Sequence, residues 1–597
     1  CCRPASGLWG CPAVGAVAFF AGSRPRLNMQ IDGRTSSYNE LAFGTKSLWD
    51  MKQVEIYRGA QSYAQGRNAI AGAVVMTSND PTQEWEGAAK LNMGNHRLAQ
   101  TAALISGPVV KDELAFRLSV DHQQRETAVD LPHYDPVGNP RWFKATNTRA
   151  KLLWTPSALP DLYSRLTFNH LNARAPQSET ELQPNSPRYT PERPVFQTRS
   201  ASTIWDIGYQ LSEHWKWENK LVYTHFIHDR KTTSPFNTAL PPNRRGVPAR
   251  VDGNEFQIEP IVKYENEKYR GLFGLFYFNA KQDESVTMLN GRIARTPITT
   301  NFNDKTKTKA AFGEITFTPD IPFELTLSAR YEQEHHQRKG KSAMFSINRD
   351  KKYNVFLPKA DIAWKINDDQ RLGFKVGKGY NPGGAGVTFG VPYTSYEYDA
   401  EYVWNYELYH RWTSADKRLR INSNLFYNDY KDMQLPFTLG PNSIVIRNAD
   451  KVVTYGAEIN TEWQATEKLA LNAGIGMLKT DIKRYPNSGI EGNKLARAPS
   501  FSGKVGANYR LLDHLEIGTN YSYNSSYYST ADNLANGKVG HYDQLDVYLA
   551  YDFKHARITL YADNVLNSRK DILLVPRSGD ITRQPERQIG LSTELRF

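Results

Sequence analysis

The chain has 597 residues, 12% of them aromatic, and a formal net charge of +12. Its lysines and arginines are scattered without a concentrated basic tract, which excludes a nucleic-acid-binding surface and favours a solvated one with some attraction for anions. The three cysteines, Cys1, Cys2 and Cys11, all lie at the extreme N-terminus, so the body has no disulfide framework or thiolate metal site. No apolar run reaches the roughly 18 residues a membrane-crossing helix needs.

In chain order, residues 1–23 come first. Arg3 and the apolar stretch 13–21 faintly resemble a signal peptide, but no initiating Met precedes them. We read this segment as a non-native or degraded leader, disordered and outside the fold. Residues 24–84 read differently. Met29-Gln30-Ile31 runs as a strand into Asp32-Gly33, and Trp49 leads into a second strand, Val54-Glu55-Ile56-Tyr57-Arg58-Gly59. A turn at Gly66-Arg67-Asn68 is followed by Ala71-Gly72-Ala73-Val74-Val75 and an exit at Asp80-Pro81. This predicts a small α/β unit.

Residues 85–597 repeat one pattern about 22 times: roughly ten residues of alternating apolar and polar side chains, then a connection that is alternately short and long. In 401–412, Tyr402, Trp404, Tyr406, Leu408, His410 and Trp412 fall on one face, and Glu401, Val403, Asn405, Glu407, Tyr409 and Arg411 on the other. Side chains on a strand alternate faces, so one face suits lipid and the other a wet interior. The last segment does the same, with Ile589, Leu591, Leu595 and Phe597 opposed to Gln588, Glu594 and Arg596. Tight polar turns at 107–112, 155–161, 318–322, 414–416 and 511–513 alternate with long connections at 173–199, 229–251, 281–304, 380–399, 431–451 and 567–584. Short turns on one side and long loops on the other are the signature of an outer-membrane barrel. The expected fold is therefore an all-β transmembrane barrel of about 22 antiparallel strands, 85–597.

The ordered motifs of residues 29–81 resemble the plug of TonB-dependent outer-membrane receptors, which implies that residues 24–84 are the C-terminal half of a plug, a partial α/β plug in the lumen of the barrel. Ala60 stands where that family usually has Pro, and Ala71-Gly72-Ala73 where it has a Gly pair; both are small-residue changes. Weaker echoes follow in the barrel. Gly377-Lys378-Gly379-Tyr380 resembles the entry to an external loop, Glu401 to Glu407 the family's Glu-x-x-x-Asn-x-Glu strand, and Tyr455-Gly456-Ala457-Glu458 and Asp563-Asn564-Val565-Leu566-Asn567 two later signatures. A signal peptide, a TonB-binding box and the first half of the plug are not recognisable. The resemblance thus implies a receptor truncated at its N-terminus, with its energy coupling impaired.

What it further implies is active transport of a ferric siderophore across the bacterial outer membrane, gated by the plug and energised through TonB, with no cofactor. Cobalamin, haem and oligosaccharide receptors share the plan, and a passive porin is a further alternative. Arg58 on the plug, with Glu407 and Glu458 on the lumenal face, would form an ionic lock between plug and barrel. Tyr38, Asn39, Tyr63, Gln65 and Arg67 at the plug apex, and Tyr380, Tyr393, Tyr396 and Tyr398 in the loops, would grip a flat anionic chelate by stacking and charge-assisted hydrogen bonds. His335-His336, and His225 with His228, point to opposite faces of their strands, so metal ligation by these or by His541 is disfavoured. No nucleophile elbow, phosphate loop or metal-hydrolase helix is present, so an enzyme is not expected.

Overall fold

The computed structural model describes residues 25–44, 47–65, 69–181, 191–241, 244–289, 296–440, 443–576 and 579–597. The expected leader, 1–23, lies outside them. Twenty-two antiparallel strands close a barrel. The first, Glu86–Gly94, pairs with the last, Gln588–Arg596, and Gly87 and Phe597 exchange backbone hydrogen bonds at the seam. No edge is left unpaired in the ring, which is the condition for spanning a bilayer with strands.

Alternation decides which way each strand faces. In Glu401–Thr413, Trp404, Tyr406 and Leu408 are exposed on the outer wall while Glu401, Val403 and Asn405 are buried inside. Beside the short turns stand Trp154, Trp215, Trp364, Trp463, Phe553 and Phe597, all exposed, as an aromatic girdle at one rim. Tyr406, Tyr427 and Tyr455 lie side by side across three strands towards the other rim, with ring centroids 6.4 and 6.2 Å apart.

Several expected loops are strand. Residues 281–304 contain the ends of Tyr269–Leu289 and Pro297–Phe317, and 431–451 the ends of Leu419–Gly440 and Ser443–Gln464. Beyond the bilayer the apolar-outward pattern is lost while the backbone ladder continues: Val286, Met288 and Phe302, and Met433, Leu435 and Ala449, are buried in apolar clusters, whereas Lys281, Asp283, Asn301 and Asn303 are exposed. The long connection after Asn381 likewise carries a two-stranded hairpin, Gly384–Val387 with Ser395–Tyr398.

Residues 25–78 build a separate four-stranded sheet. Its strands are β1 (Leu27–Ile31), β2 (Arg34–Thr35), β3 (Met51–Arg58) and β4 (Gly72–Ser78), in the order β2-β1-β4-β3. Asp32 and Gly33 both have positive φ, 53° and 86°, which makes the tight β1–β2 hairpin that an Asp-Gly pair favours. Helix α1 (Tyr38–Phe43) starts at Ser37 with a full capping box to Glu40, and Arg34 donates to both oxygens of that buried carboxylate at 2.8 and 2.9 Å. Met29, Leu41, Val74 and Met76 form the small core. A second short helix, α2 (Ser62–Gln65), follows β3.

This sheet lies across the lumen. Asp50 pairs with Arg117 on the third strand of the ring, and Arg26 with Glu401 on the fourteenth of 22, half-way round. Phe43 stacks on Phe196 of the wall at 3.9 Å, within an apolar cluster that includes Phe226, Phe302 and Ile347.

Candidate functional site in the barrel lumen

The inner sheet is tied to the wall by charge. Arg26 is buried, and its guanidinium donates to Glu401 at 2.7 Å. Glu401 is fully buried and also accepts from the Gln434 backbone N–H at 3.1 Å and from Asn381 at 3.3 Å, while the Tyr430 ring lies 5.5 Å from the Arg26 guanidinium. Asp50 takes two nitrogens of Arg117, which also reaches Glu86. Asp32 accepts from the backbone and hydroxyl of Ser78 at 2.9 and 2.7 Å and faces Arg149 and Lys151 at 3.8 and 3.9 Å. Burial alone would raise the Asp32 pKa, but Lys151, Arg149 and the Ser78 hydrogen bonds outweigh it and hold the carboxyl below its usual range. Lys220 donates to the Asp32 carbonyl at 2.9 Å.

Of the expected lock, Arg58 and Glu458 meet at 2.6 Å, with the two side chains 59% and 27% exposed. Glu407 does not join them. It is taken by Lys375 at 3.2 Å and by the Asn424 amide at 2.6 Å, both on neighbouring barrel strands, so it serves the wall and not the sheet. The Arg26–Glu401 pair, which sequence reasoning missed, makes the buried contact instead. Glu401 was legible as an inward residue; its partner was not, because Arg26 belongs to no motif.

The expected ligand-gripping residues divide in the same way. Tyr380 is 1% exposed, and its backbone N–H donates to Ser62 Oγ while its carbonyl accepts from the same hydroxyl. Its ring packs near Tyr353 and Tyr402, so it anchors α2 to the wall and does not face a vestibule. Tyr398 and Asn39 are also buried, at 3% each. Tyr398 lies over Gly384 and Tyr396 over Gly386 in the external hairpin, where a Cβ on either glycine would come within 2.6 Å of a ring. Tyr38, Tyr63, Tyr393 and Tyr396 keep accessible surface. Lys359 sits 4.8 Å from the Tyr63 ring, and burial pushes the Tyr63 phenol well up. The Gln65 side chain and Arg67 lie outside the described residues.

A cavity of about 180 Å³ opens between Gly33–Asn39 and the wall, reached by Glu259, Arg330, His228 and His336. His228 Nε2 is 3.1 Å from Ser37 Oγ, His336 Nε2 is 3.4 Å from Asp304, His335 pairs with Asp350, His225 with Asp252, and His541 stacks near Tyr523. Among the described residues no group of three His, Cys, Asp or Glu could hold a metal ion.

The family model described as "TonB dependent receptor-like, beta-barrel" matches residues 145–567, most of the chain, and the protein belongs to that family. It is a β-barrel protein of the bacterial outer membrane. The chain is 22% identical over 306 residues to the pesticin receptor of Yersinia pestis, a match covering 49% of this chain and 44% of that protein, so it spans less than half of that relative's length. Its fold is similar to that of the ferric yersiniabactin uptake receptor FyuA from Yersinia pestis, with TM-score 0.82 at 18% identity over 96% of this chain and 89% of that one. The siderophore receptor PiuA from Acinetobacter baumannii is also similar, with TM-score 0.77 at 14% identity over 97% and 92%. These family members and neighbours are receptors for uptake rather than enzymes.

Proposed function

We propose that this protein is an active uptake receptor for a ferric siderophore, with residues 24–84 as a plug that TonB-transmitted force displaces. The observation that supports this best is the occupied lumen, with a sheet tied to opposite walls through Asp50–Arg117 and Arg26–Glu401. A passive pore needs a continuous water path, and a ring of 22 strands is wide enough to need a plug. The uptake receptor and siderophore receptor among the similar structures favour ferric siderophore over cobalamin, haem or oligosaccharide. Tyr38, Tyr63, Tyr393 and Tyr396 supply aromatic surface for such a chelate, and Lys359 beside the Tyr63 ring supplies a cation. Arg58–Glu458 is the contact suited to release, because an exposed pair in a hydrated lumen breaks at low cost.

The test is a binding titration of the purified protein in detergent, followed by intrinsic tryptophan fluorescence, with a panel of ferric siderophores, haem, cobalamin and oligosaccharides. Saturable binding of a ferric siderophore, weakened in Tyr396→Ala, is expected. Binding of cobalamin, haem or a sugar with no ferric chelate bound overturns the ligand class. Radiolabelled iron uptake in a receptor-deficient strain should depend on TonB; equal uptake without TonB overturns the gating.

A further inference from the structure

One external connection, 382–400, joins Gln370–Asn381 to Glu401–Thr413 and is tied to the inner sheet and its helices at both ends. At its first root the Tyr380 N–H donates to Ser62 Oγ at 3.1 Å, and the Tyr380 carbonyl accepts from the same hydroxyl at 3.2 Å, which attaches α2. At its second root Glu401 accepts from Arg26, next to the start of β1. Gln434 ties the roots to each other. Its side-chain amide donates to the Pro382 and Asp399 carbonyls at 3.0 Å each, its amide oxygen accepts from Asn381 at 3.3 Å, and its backbone N–H donates to Glu401. Ser62, Asn381 and Glu401 are fully buried. Asp32, Asp50 and Arg58, by contrast, meet side chains within wall strands: Arg149 and Lys151, Arg117, and Glu458.

The body of the connection is held by the same unit. It carries the hairpin Gly384–Val387 with Ser395–Tyr398, and every residue of the first strand is buried. Ala385 and Val387 belong to the apolar cluster of Phe43 on α1 and Phe196 and Phe302 on the wall, with Tyr38 and Tyr393 packed against it. Thr388 closes the tip: its hydroxyl accepts from the Thr394 N–H at 2.8 Å and donates to the Pro392 carbonyl at 2.9 Å. Arg26, α1 and α2 thus converge on one external connection. Separating it from them would strand buried donors and acceptors at two roots and open the apolar cluster between, so the two parts share one closed arrangement and give it up together.

We propose that the 382–400 hairpin is a lid coupled to the inner sheet, with Ser62, Glu401 and Gln434 as the positioning residues that make a closed hairpin and a seated sheet one state. Coupling of this kind is reciprocal, so whatever loosens the lid loosens the sheet by the same factor. Its use in transport rests on the uptake reading above: a chelate gripped by Tyr393 and Tyr396 would act on the sheet through the two roots of the hairpin. The coupling itself needs no ligand.

The test is hydrogen exchange, followed by mass spectrometry, of the full chain in detergent with no solute added. In the wild type, denaturant at concentrations below barrel unfolding should carry the hairpin and the elements β1 and α1 through one common opening transition, because coupled elements open as a unit. Separate transitions overturn the proposal, and this measurement needs no variant to fold. Thr388→Val removes side-chain hydrogen bonds that all stay within the connection, yet it should speed exchange in β1 and α1 by about fivefold or more. Ser62→Ala should speed exchange in the hairpin by about the same factor. Arg58→Ala, at a contact away from the two roots, should leave the hairpin unchanged; faster hairpin exchange there would show general loosening and overturn the role of the roots. Heat-modifiable gel mobility shows that each variant has kept its barrel. Exchange in β1 and α1 at the wild-type rate in a folded Thr388→Val also overturns the coupling. Failure to bind any ferric siderophore, with the common transition intact, would strike the uptake reading and leave the coupling standing.

Discussion

The inner sheet meets the barrel through two kinds of contact. Through Arg26, Asp32 and Asp50 it makes buried contacts, in which each charge has a partner and further hydrogen bonds around it. Along the edge strand β3 most side chains are exposed, and the contact there is Arg58–Glu458 in an open part of the lumen. The two kinds of pair have similar N···O distances, 2.6 Å for Asp50–Arg117 and 2.6 Å for Arg58–Glu458, yet they are not equivalent energetically. In water, a broken pair is rehydrated on both sides; when buried, removing one partner strands a charge that has already lost its solvent. The sheet is thus held firmly at opposite walls by the Asp50 and Arg26 contacts and lightly along β3, where displacement can begin.

Breaking a buried contact should have the largest effect. Glu401→Ala leaves Arg26 buried without its counter-charge, and the cost is expected to be about 3–5 kcal/mol. It should be seen as faster trypsin cleavage within residues 25–78 in detergent while the barrel keeps its heat-modifiable mobility. Cleavage at the wild-type rate would mean that Arg26 does not secure the sheet.

An intermediate effect is expected from acid. The Asp32 carboxyl is held below its usual range by Lys151, Arg149 and Ser78 against the opposing effect of burial, so its stabilisation is full above the unfolded value near about pH 4 and is lost as pH falls through the lower folded value. Retention of the sheet should be flat from neutral pH to about pH 4 and fall below it. Asp32→Asn should remove that acid limb while lowering retention at pH 7. An acid limb unchanged in the variant would assign it to another carboxylate.

The smallest effect belongs to the exposed contact at β3. Arg58→Ala should cost at most about 1 kcal/mol in the same cleavage assay. A double-mutant cycle with Glu458→Gln should give a coupling of that size, whereas a cycle with Glu407→Gln should give none, since Glu407 is engaged by Lys375 and Asn424. A coupling of several kcal/mol at Arg58–Glu458 would erase the distinction between the two kinds of contact.

The sequence by itself determined the barrel. Period-two alternation is local and repeated, so the inward position of Glu401, Glu407 and Glu458, the outward position of Trp404 and Tyr406, the short turns and the strand number could all be read from it. At Asp32-Gly33 the end of a strand was legible, but not the hairpin to Arg34–Thr35 that the two positive φ values make. Beyond the bilayer, at 281–304 and 431–451, strands passed for loops, since the apolar-outward pattern ends there and the apolar residues are buried in clusters instead.

Only the tertiary structure decided who meets whom. That Arg58 reaches Glu458 and not Glu407, that Arg26 finds Glu401, and that Tyr380 is sealed against Ser62 while Tyr396 stays accessible depend on strand stagger and on the depth of the inner sheet. Those are fixed by contacts between residues hundreds of positions apart, such as 26 with 401 and 58 with 458, for which no local pattern carries information.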